Sequence, residues 1–405
     1  MAGMKCVVLV GDGLADDPVG SLGGKTPLEV ARTPNLDRMA SRGILGLTRT
    51  LPPGTAMAGA TASLAVLGYD PVRFHGSCSA FEAVARGVVL EPGDLAFRLD
   101  LVTLERREDG MLVMGDVTGG RPSTADARVL LEDVTRATAG DSIEVHPGVG
   151  YRHLLVWRGG GQGVQTTPPR LIAGEPVAPA LPHGPGAERL RAMMDGAGDV
   201  LRVHPLCEAR RARGEGAPNA IWLWGEGGRR TLPAMRDRFG VEGAVIAAAD
   251  LVRGLGKLAG LRVVDVPGGD GEPHPNLRAE ADSALQVLDE RDFLLLHVAA
   301  PDDGGNGDAQ RKIEAIERLD EEMLGPLLEG LRARGGQWRV MVLAHHPTAC
   351  GKRTRAADAE PFAVYVSSHE ERNRAVKRSY HERDAREQGI FIPEAHTLVE
   401  RLLRV

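Results

Sequence analysis

The chain has 405 residues and a formal net charge of −6, with 26% charged and 4% aromatic residues. That length exceeds one small core and suits two domains, and the acidic balance with no Lys/Arg-rich run offers no electrostatic footprint for nucleic acid. No apolar stretch approaches the roughly 20 residues a spanning helix needs, and the start of the sequence lacks a signal-peptide core, so a membrane partner is not expected.

Taken in chain order, residues 6–10 read as a buried strand that runs straight into Gly11-Asp12-Gly13. Thr33 then reads as a helix N-cap, with Pro34 suited to the first helical position and Asp37 favourable in the first turn. Residues 60–67 are small and apolar and end at a Gly68-Tyr69-Asp70-Pro71 turn. From about Leu90 to Val203 the character changes. Strand-like pieces at 97–102, 112–114 and 154–157 alternate with Gly/Pro-rich turns, closing on Pro182-His183-Gly184-Pro185, and predict a separate α+β unit. The charged stretch 210–218, opening Arg210-Arg211-Ala212-Arg213, reads as a solvated hinge.

A strand–helix rhythm follows: strands at 220–223 and 243–247, a helix at 250–258, a strand at 261–266, a helix at 279–288 and a buried strand at 292–298. A long helix is predicted over 312–331, where Ile313, Ile316, Leu319, Met323 and Leu327 recur at helical spacing, and further strands at 340–343 and 362–366. Alternation of this kind implies a mostly parallel, doubly covered sheet. The expected division is one domain from 1–88 and 213–405, with 89–212 inserted as a smaller α+β domain. Cys6, Cys78, Cys207 and Cys350 lie far apart without a C-x-x-C pair, which fits free thiols in a reducing cytoplasm. Cys78 reads as a packed thiol, since no base adjoins it.

Three apolar runs end abruptly in ligand-type residues. They lead to Asp12, to Asp302-Asp303-Gly304-Gly305-Asn306, and to His345-His346. The carboxyl ends of strands are where an open α/β sheet places its ligand crevice. Carboxylates and imidazoles gathered there can hold two divalent ions that clamp a phosphoryl group while a hydroxyl attacks it. The candidate ligands are Asp12, Asp302, His345 and His346, with Asp303 a rival for Asp302. A turn aspartate at Asp12, and histidines bonded to a neighbouring loop, are the plainer alternatives.

Several segments carry a resemblance: Val10-Gly11-Asp12-Gly13, Gly23-Gly24-Lys25-Thr26-Pro27-Leu28-Glu29, Arg32-Thr33-Pro34-Asn35-Leu36-Asp37, Leu67-Gly68-Tyr69-Asp70-Pro71, Phe81-Glu82-Ala83, Leu95-Ala96-Phe97-Arg98, Tyr151-Arg152-His153, Trp224-Gly225-Glu226-Gly227 and His297-Val298-Ala299-Ala300-Pro301-Asp302. Almost end to end, the chain resembles the archaeal-type, cofactor-independent phosphoglycerate mutases of the alkaline phosphatase superfamily. The resemblance implies an alkaline-phosphatase-like α/β domain with an inserted domain. It also implies two manganese or magnesium ions, a phosphoserine intermediate, and interconversion of 3- and 2-phosphoglycerate in glycolysis. Arg121 and Arg152 match cleft-facing basic positions that would bind substrate.

Carried over residue by residue, the pattern breaks. The nucleophile belongs nine residues before the glycine of the Gly-Tyr-Asp-Pro turn, and counting back from Gly68 gives Gly59, flanked by Ala58 and Ala60. Glycine has no oxygen to phosphorylate; Thr55, Thr61 and Ser63 are weak substitutes at the wrong offset. The histidine four residues after Asp302 is Asn306, the Asp-His pair is His345-His346, and the last histidine, nine positions after His346, is Arg355. The Gly-Arg-Gly motif reads Ser77-Cys78-Ser79. Arginine has no lone pair for a metal, so Arg355 is expected to pair with Asp302 where an ion was. One divalent ion (Mn, Mg or Zn) held by Asp12, His345 and His346 is expected rather than two. A weak or inactive mutase follows. A non-catalytic binder of a small phosphorylated metabolite, a regulatory paralogue and a single-metal hydrolase are the alternatives, and homo-oligomerisation is left open.

Overall fold

The structure, a computed structural model, describes residues 3–52, 59–160, 163–266, 276–299, 308–345, 359–372 and 375–404. It divides into two compact units, Met1–His75 with Leu232–Val405, and Gly76–Thr231. The division falls at 75/76 and 231/232 rather than at the expected 88/89 and 212/213. The reason is pairing: β7 (Ala220–Gly227) runs antiparallel along β3 (Leu95–Arg106), and helix Cys78–Ala85 packs on both. The stretch expected to be a hinge therefore lies inside the second unit. Arg210 is pinned there, its Nε donating to the Gly216 carbonyl and its Nη2 to that of Gly120.

The first unit is built on an eight-stranded sheet. Its strands are β1 (Lys5–Gly11), β2 (Ile44–Thr48), β8 (Gly243–Ala247), β9 (Arg262–Val263), β10 (Phe293–Val298), β11 (Trp338–Ala344), β12 (Glu360–Val366) and β13 (Phe391–Ile392), in the order β13-β2-β12-β11-β1-β10-β8-β9. Pairing is parallel from β11 through β1, β10 and β8 to β9, and between β13 and β2; only the two pairs made by β12 are antiparallel. The expected mostly parallel sheet is present. Strands β10 and β11 are buried along their whole length, as continuous apolar runs covered on both faces must be. Each fully buried leucine or valine in them contributes about 1.5–3 kcal/mol.

Helix Pro34–Arg42 begins with Pro34 as expected and carries Asp37 in its first turn, but Thr33 makes no side-chain cap. The cap comes from a distant residue instead. The Asp320 carboxylate accepts from the backbone N–H of Asn35 (3.1 Å) and Leu36 (2.7 Å) and from Asn35 Nδ2 (3.0 Å). Asp320 lies where the predicted long helix, observed over residues 309–334, widens into a π turn at Leu319–Leu324. The turn's bond runs from Gly325 N–H to the Asp320 carbonyl. Pro326 follows directly, and the wide turn spares it the clash that proline makes with the carbonyl four residues back.

The second unit carries β3, β4 (Leu112–Asp116), β5 (Ile143–Val149), β6 (Arg152–Trp157) and β7 in one antiparallel sheet, with helices Thr124–Thr138 and Ala187–Val203 among its elements. It is an α+β unit, and its own core joins Leu99, Leu101, Leu130, Leu155, Leu190 and Trp222. Cys6, Cys78 and Cys207 are free and buried; Cys350 lies outside the described residues.

Candidate functional site: a carboxylate, two imidazoles and a hydroxyl

The register of the first sheet sets the site. β1 lies between β10 and β11, with Gly11 opposite Val298 on one side and Ala344 on the other. Each ladder is extended by one bond, Asp12 N–H to the Val298 carbonyl (2.8 Å) and His345 N–H to the Gly11 carbonyl (3.2 Å). The carboxyl ends of three adjacent parallel strands thereby present Asp12, His297 and His345 together. Two glycines shape the turn after β1. A side chain on Gly11 would sit 2.4 Å from Leu14, and Gly13 holds φ at +72°, a conformation that favours glycine.

His345 Nδ1 is 3.1 Å from Asp12 Oδ1, and its Nε2 is 2.9 Å from Ser63 Oγ. His297 Nε2 approaches Asp12 Oδ2 at 4.0 Å, and its ring stands edge-on to His345 with centroids 5.0 Å apart. One ligand atom from each of Asp12, His297 and His345 lies within 4.8 Å of the others. All four side chains are buried: Asp12 is 9% exposed, His297 4%, His345 3% and Ser63 0%. Glu360, at the start of β12, is buried as well and accepts from Thr50 Oγ1 at 2.8 Å. Burial pushes its carboxyl well above the usual range, and the Asp12 charge adds to this against the Thr50 bond.

Asp12 and His345 are brought together as the sequence predicts. His346, Asp302, Asp303, Asn306, Arg355, Thr55 and Ala58 lie outside the described residues. Gly59 is the first residue of helix Gly59–Val66, and Ser63 stands one turn further along it; Thr61 is half-buried on the same helix. His297 and Glu360 were missed. The imidazole of His297 interrupts an otherwise apolar strand one residue from its end, which is a signal the sequence carries. Nothing local marks Glu360, because β12 and the pairing that buries its carboxyl are set by distant residues.

In the second unit, several segments that carry the resemblance converge. Arg98 Nε donates to both Glu82 oxygens at 2.9 and 3.0 Å and stacks on Trp224, 4.7 Å from its ring centre. Trp224 Nε1 donates to Asp100 at 2.8 Å, and burial pushes that carboxyl up to about 6. His153 accepts the Gly148 N–H on Nδ1 at 2.9 Å, and burial, with Arg86 adding to it, pushes the imidazole down to about 3. Arg152 lies over Tyr151, and Arg121 is held in a left-handed turn at φ 52°. The loops bearing the two arginines are joined by Gly150 N–H to Thr124 Oγ1 at 3.1 Å.

Comparison with known proteins settles the lineage. A family model described as 2,3-bisphosphoglycerate-independent phosphoglycerate mutase matches residues 40–207. A Geobacter sulfurreducens protein described as a probable 2,3-bisphosphoglycerate-independent phosphoglycerate mutase is 41% identical over 401 residues, covering 99% of this chain and 100% of that protein. The chain belongs to the 2,3-bisphosphoglycerate-independent phosphoglycerate mutase family. A Methanothermobacter thermautotrophicus mutase of this family is 39% identical over 408 residues, covering 100% of this chain and 98% of that protein. Among solved structures, the PH0037 protein of Pyrococcus horikoshii aligns with a TM-score of 0.79 at 26% identity, covering 99% of this chain and 97% of that one. The cofactor-independent phosphoglycerate mutase of Thermoplasma acidophilum shares the fold, with a TM-score of 0.59 at 24% identity over 99% of both chains. Among the described residues no helix is long and apolar enough to cross a membrane.

Proposed function

We propose that this member of the phosphoglycerate mutase family is weak or inactive as a mutase and still binds a small phosphorylated metabolite of the phosphoglycerate class. It would do so in the cytoplasm, at the glycolytic step its lineage serves. One observation carries the reading: Gly59, where the resemblance places the attacking serine, opens its helix without any side-chain oxygen. Among the described residues the hydroxyl that reaches His345 is that of Ser63, one turn away, fully buried and already engaged by that ring.

The donors present suit a metal of the kind the lineage implies. Asp12, His297 and His345 would hold one divalent ion, which when bound supplies Lewis-acid neutralisation of phosphoryl oxygens. Asp12 brings the negative charge, the two imidazoles bring neutral nitrogen donors, and Ser63 and the backbone bond of His345 keep the ring in place. Arg121 and Arg152 would meet the phosphate or carboxylate of the metabolite through charge-assisted bonds. The same donor set favours a second reading, a single-metal phosphomonoester hydrolase that needs no serine.

A coupled enolase assay tests the first reading. Turnover far below the ordinary enzymatic range of about 10 s⁻¹ is expected, and rates within that range would overturn it. Gly59→Ser alone should leave the rate unchanged, because the change at His345 remains; a large rescue would refute the loss of metal chemistry. 3-Phosphoglycerate should still raise the melting temperature, as any ligand preferring the native state does. Steady release of phosphate from a generic aryl phosphate with added Zn²⁺ or Mn²⁺ would favour the hydrolase.

A further inference from the structure

We propose that Asp12, His297 and His345 form one nitrogen-rich cation site that prefers Zn²⁺ or Co²⁺ to Mg²⁺ or Mn²⁺, with Ser63 as the positioning residue that decides which nitrogen of His345 faces the ion. The proposal deepens the single-ion reading above and rests on it. The preferred ion class and the part played by Ser63 go beyond it.

Geometry comes first. A tetrahedral ion with bonds of about 2.0–2.1 Å sets its donors roughly 3.3 Å apart. One ligand atom from each of the three residues lies within 4.8 Å of the others, and the two imidazoles approach different Asp12 oxygens at 3.1 and 4.0 Å, so a shared ion would draw the donors inward by up to about 1.5 Å. Three donors leave a fourth position for an outside ligand, the pattern of an open rather than a closed site. Because the donors stand at the ends of three hydrogen-bonded parallel strands, their backbones are fixed by the sheet itself.

The bonding state of His345 comes next. In one arrangement Ser63 donates to Nε2, and Nδ1–H donates to Asp12. In the other, Nε2–H donates to Ser63 Oγ, and the bare Nδ1 lone pair faces a carboxylate oxygen 3.1 Å away. Two lone pairs so placed repel unless a cation lies between them. A bound ion would take the place of the Nδ1 proton, the neutral ring would carry its proton on Nε2 instead, and the serine hydroxyl, both donor and acceptor, would reverse its bond without moving. Ser63 thus keeps the ring aligned in either state, as outer hydrogen-bond partners of metal-bound histidines do.

Selectivity follows from the donors. Mg²⁺ demands near-octahedral oxygen coordination and sheds water reluctantly, whereas imidazole nitrogen favours Zn²⁺ and its neighbours in the transition series. At His345 the resemblance expects a carboxylate, so the substitution exchanges a hard donor for a borderline one. His297 shifts the balance further the same way.

The test is metal binding by the full chain after chelator treatment, using isothermal titration, thermal shift and the visible spectrum of added Co²⁺. One ion per chain is expected, with Zn²⁺ and Co²⁺ bound at least 100-fold more tightly than Mg²⁺, and Co²⁺ giving the intense bands of four-coordination. His297→Asn should weaken Zn²⁺ binding by 100-fold or more. Ser63→Ala should weaken it about 10–100-fold and alter the Co²⁺ bands, and it should also lower the metal-free melting temperature, because the buried bond to His345 is lost. Equal affinity for Mg²⁺, two ions per chain, or unchanged Zn²⁺ binding in His297→Asn would each overturn the proposal. The ion ranking of the unmutated chain carries the test where a variant does not fold. Efficient mutase turnover in a chain that holds one Zn²⁺ would sink the proposed function and leave this site standing.

Discussion

Two carboxylates four residues apart, Asp12 and Asp16, are buried by the same turn after β1, and they meet opposite company. Asp16 faces Lys312, whose Nζ lies 2.8 Å from Oδ2 and 3.1 Å from the Ala15 carbonyl, with both side chains wholly inaccessible. Around them Glu382 accepts from Asp16 N–H at 3.0 Å and from Thr26 Oγ1 at 2.7 Å. Asp12 faces two imidazoles and, through one of them, a hydroxyl. In the Asp16 cluster the chain supplies its own cation, the Lys312 ammonium in contact with Asp16. In the Asp12 cluster the neighbours are groups that can equally well give up a proton's place to a metal. The lesson is that burial of a carboxylate does not mark a site; the chemistry of what compensates it does.

Removing the internal cation should have the largest effect. Lys312→Met leaves Asp16 buried without its ammonium partner and should cost about 3–5 kcal/mol in urea denaturation. Adding Asp16→Asn should recover most of the loss. A cost below about 1 kcal/mol would mean that Asp16 is compensated elsewhere, and the contrast with Asp12 would dissolve.

His153 extends the comparison to an imidazole closed by backbone rather than open to an ion. Its native value of about 3 lies below the ordinary 6.5, so the native state prefers it neutral. The stability this contributes is complete above pH 6.5 and is lost as pH falls toward 3. Between pH 7 and pH 5 the loss should be about 2 kcal/mol. Denaturation curves of His153→Gln should be flatter over that window; an equal slope would show that the imidazole is not held neutral.

Thr26→Val is expected to cost about 1–2 kcal/mol, since it removes the hydroxyl that caps helix Pro27–Val30 and bonds Glu382. The smallest effect belongs to Asp12→Asn. Without metal the amide oxygen can still accept from His345, so a change under about 1 kcal/mol is expected. The rise in melting temperature caused by Zn²⁺ should vanish in the same variant. A large metal-free loss would place Asp12 with Asp16 as a structural ion.

Much of the first sheet was legible because its central strands are uninterrupted apolar runs: 243–247 and the helix at 250–258 match their observed bounds. Asp12 and His345 were legible for the same reason, as polar residues that end such runs. Helices Thr124–Thr138 and Ala187–Val203 went unassigned in a segment read mainly for its strands and turns, and the unit boundary was misplaced because β3–β7 pairing spans more than a hundred residues of sequence. The cap on helix Pro34–Arg42 was misassigned because the donor-satisfying carboxylate, Asp320, is 285 positions from Asn35. By sequence Ser63 reads only as a weak substitute nucleophile; its bond to His345 depends on a helix and a strand end 282 positions apart. Local pattern reveals which residues end a strand, while tertiary placement decides what they touch.

The π turn at Leu319–Leu324 amounts to one surplus residue folded into an otherwise regular helix. Deleting one residue there would restore ordinary winding without turning the residues downstream, and Pro326 would then meet the carbonyl four residues back. Leu327, Leu328 and Leu331 would keep facing the core, and the disturbance would fall on the turn itself, where Asp320 bonds Asn35 and Leu36. A shortening of the gene by one codon at this place would therefore act through that proline and that cap rather than through the core, and the length of this helix is itself inherited information.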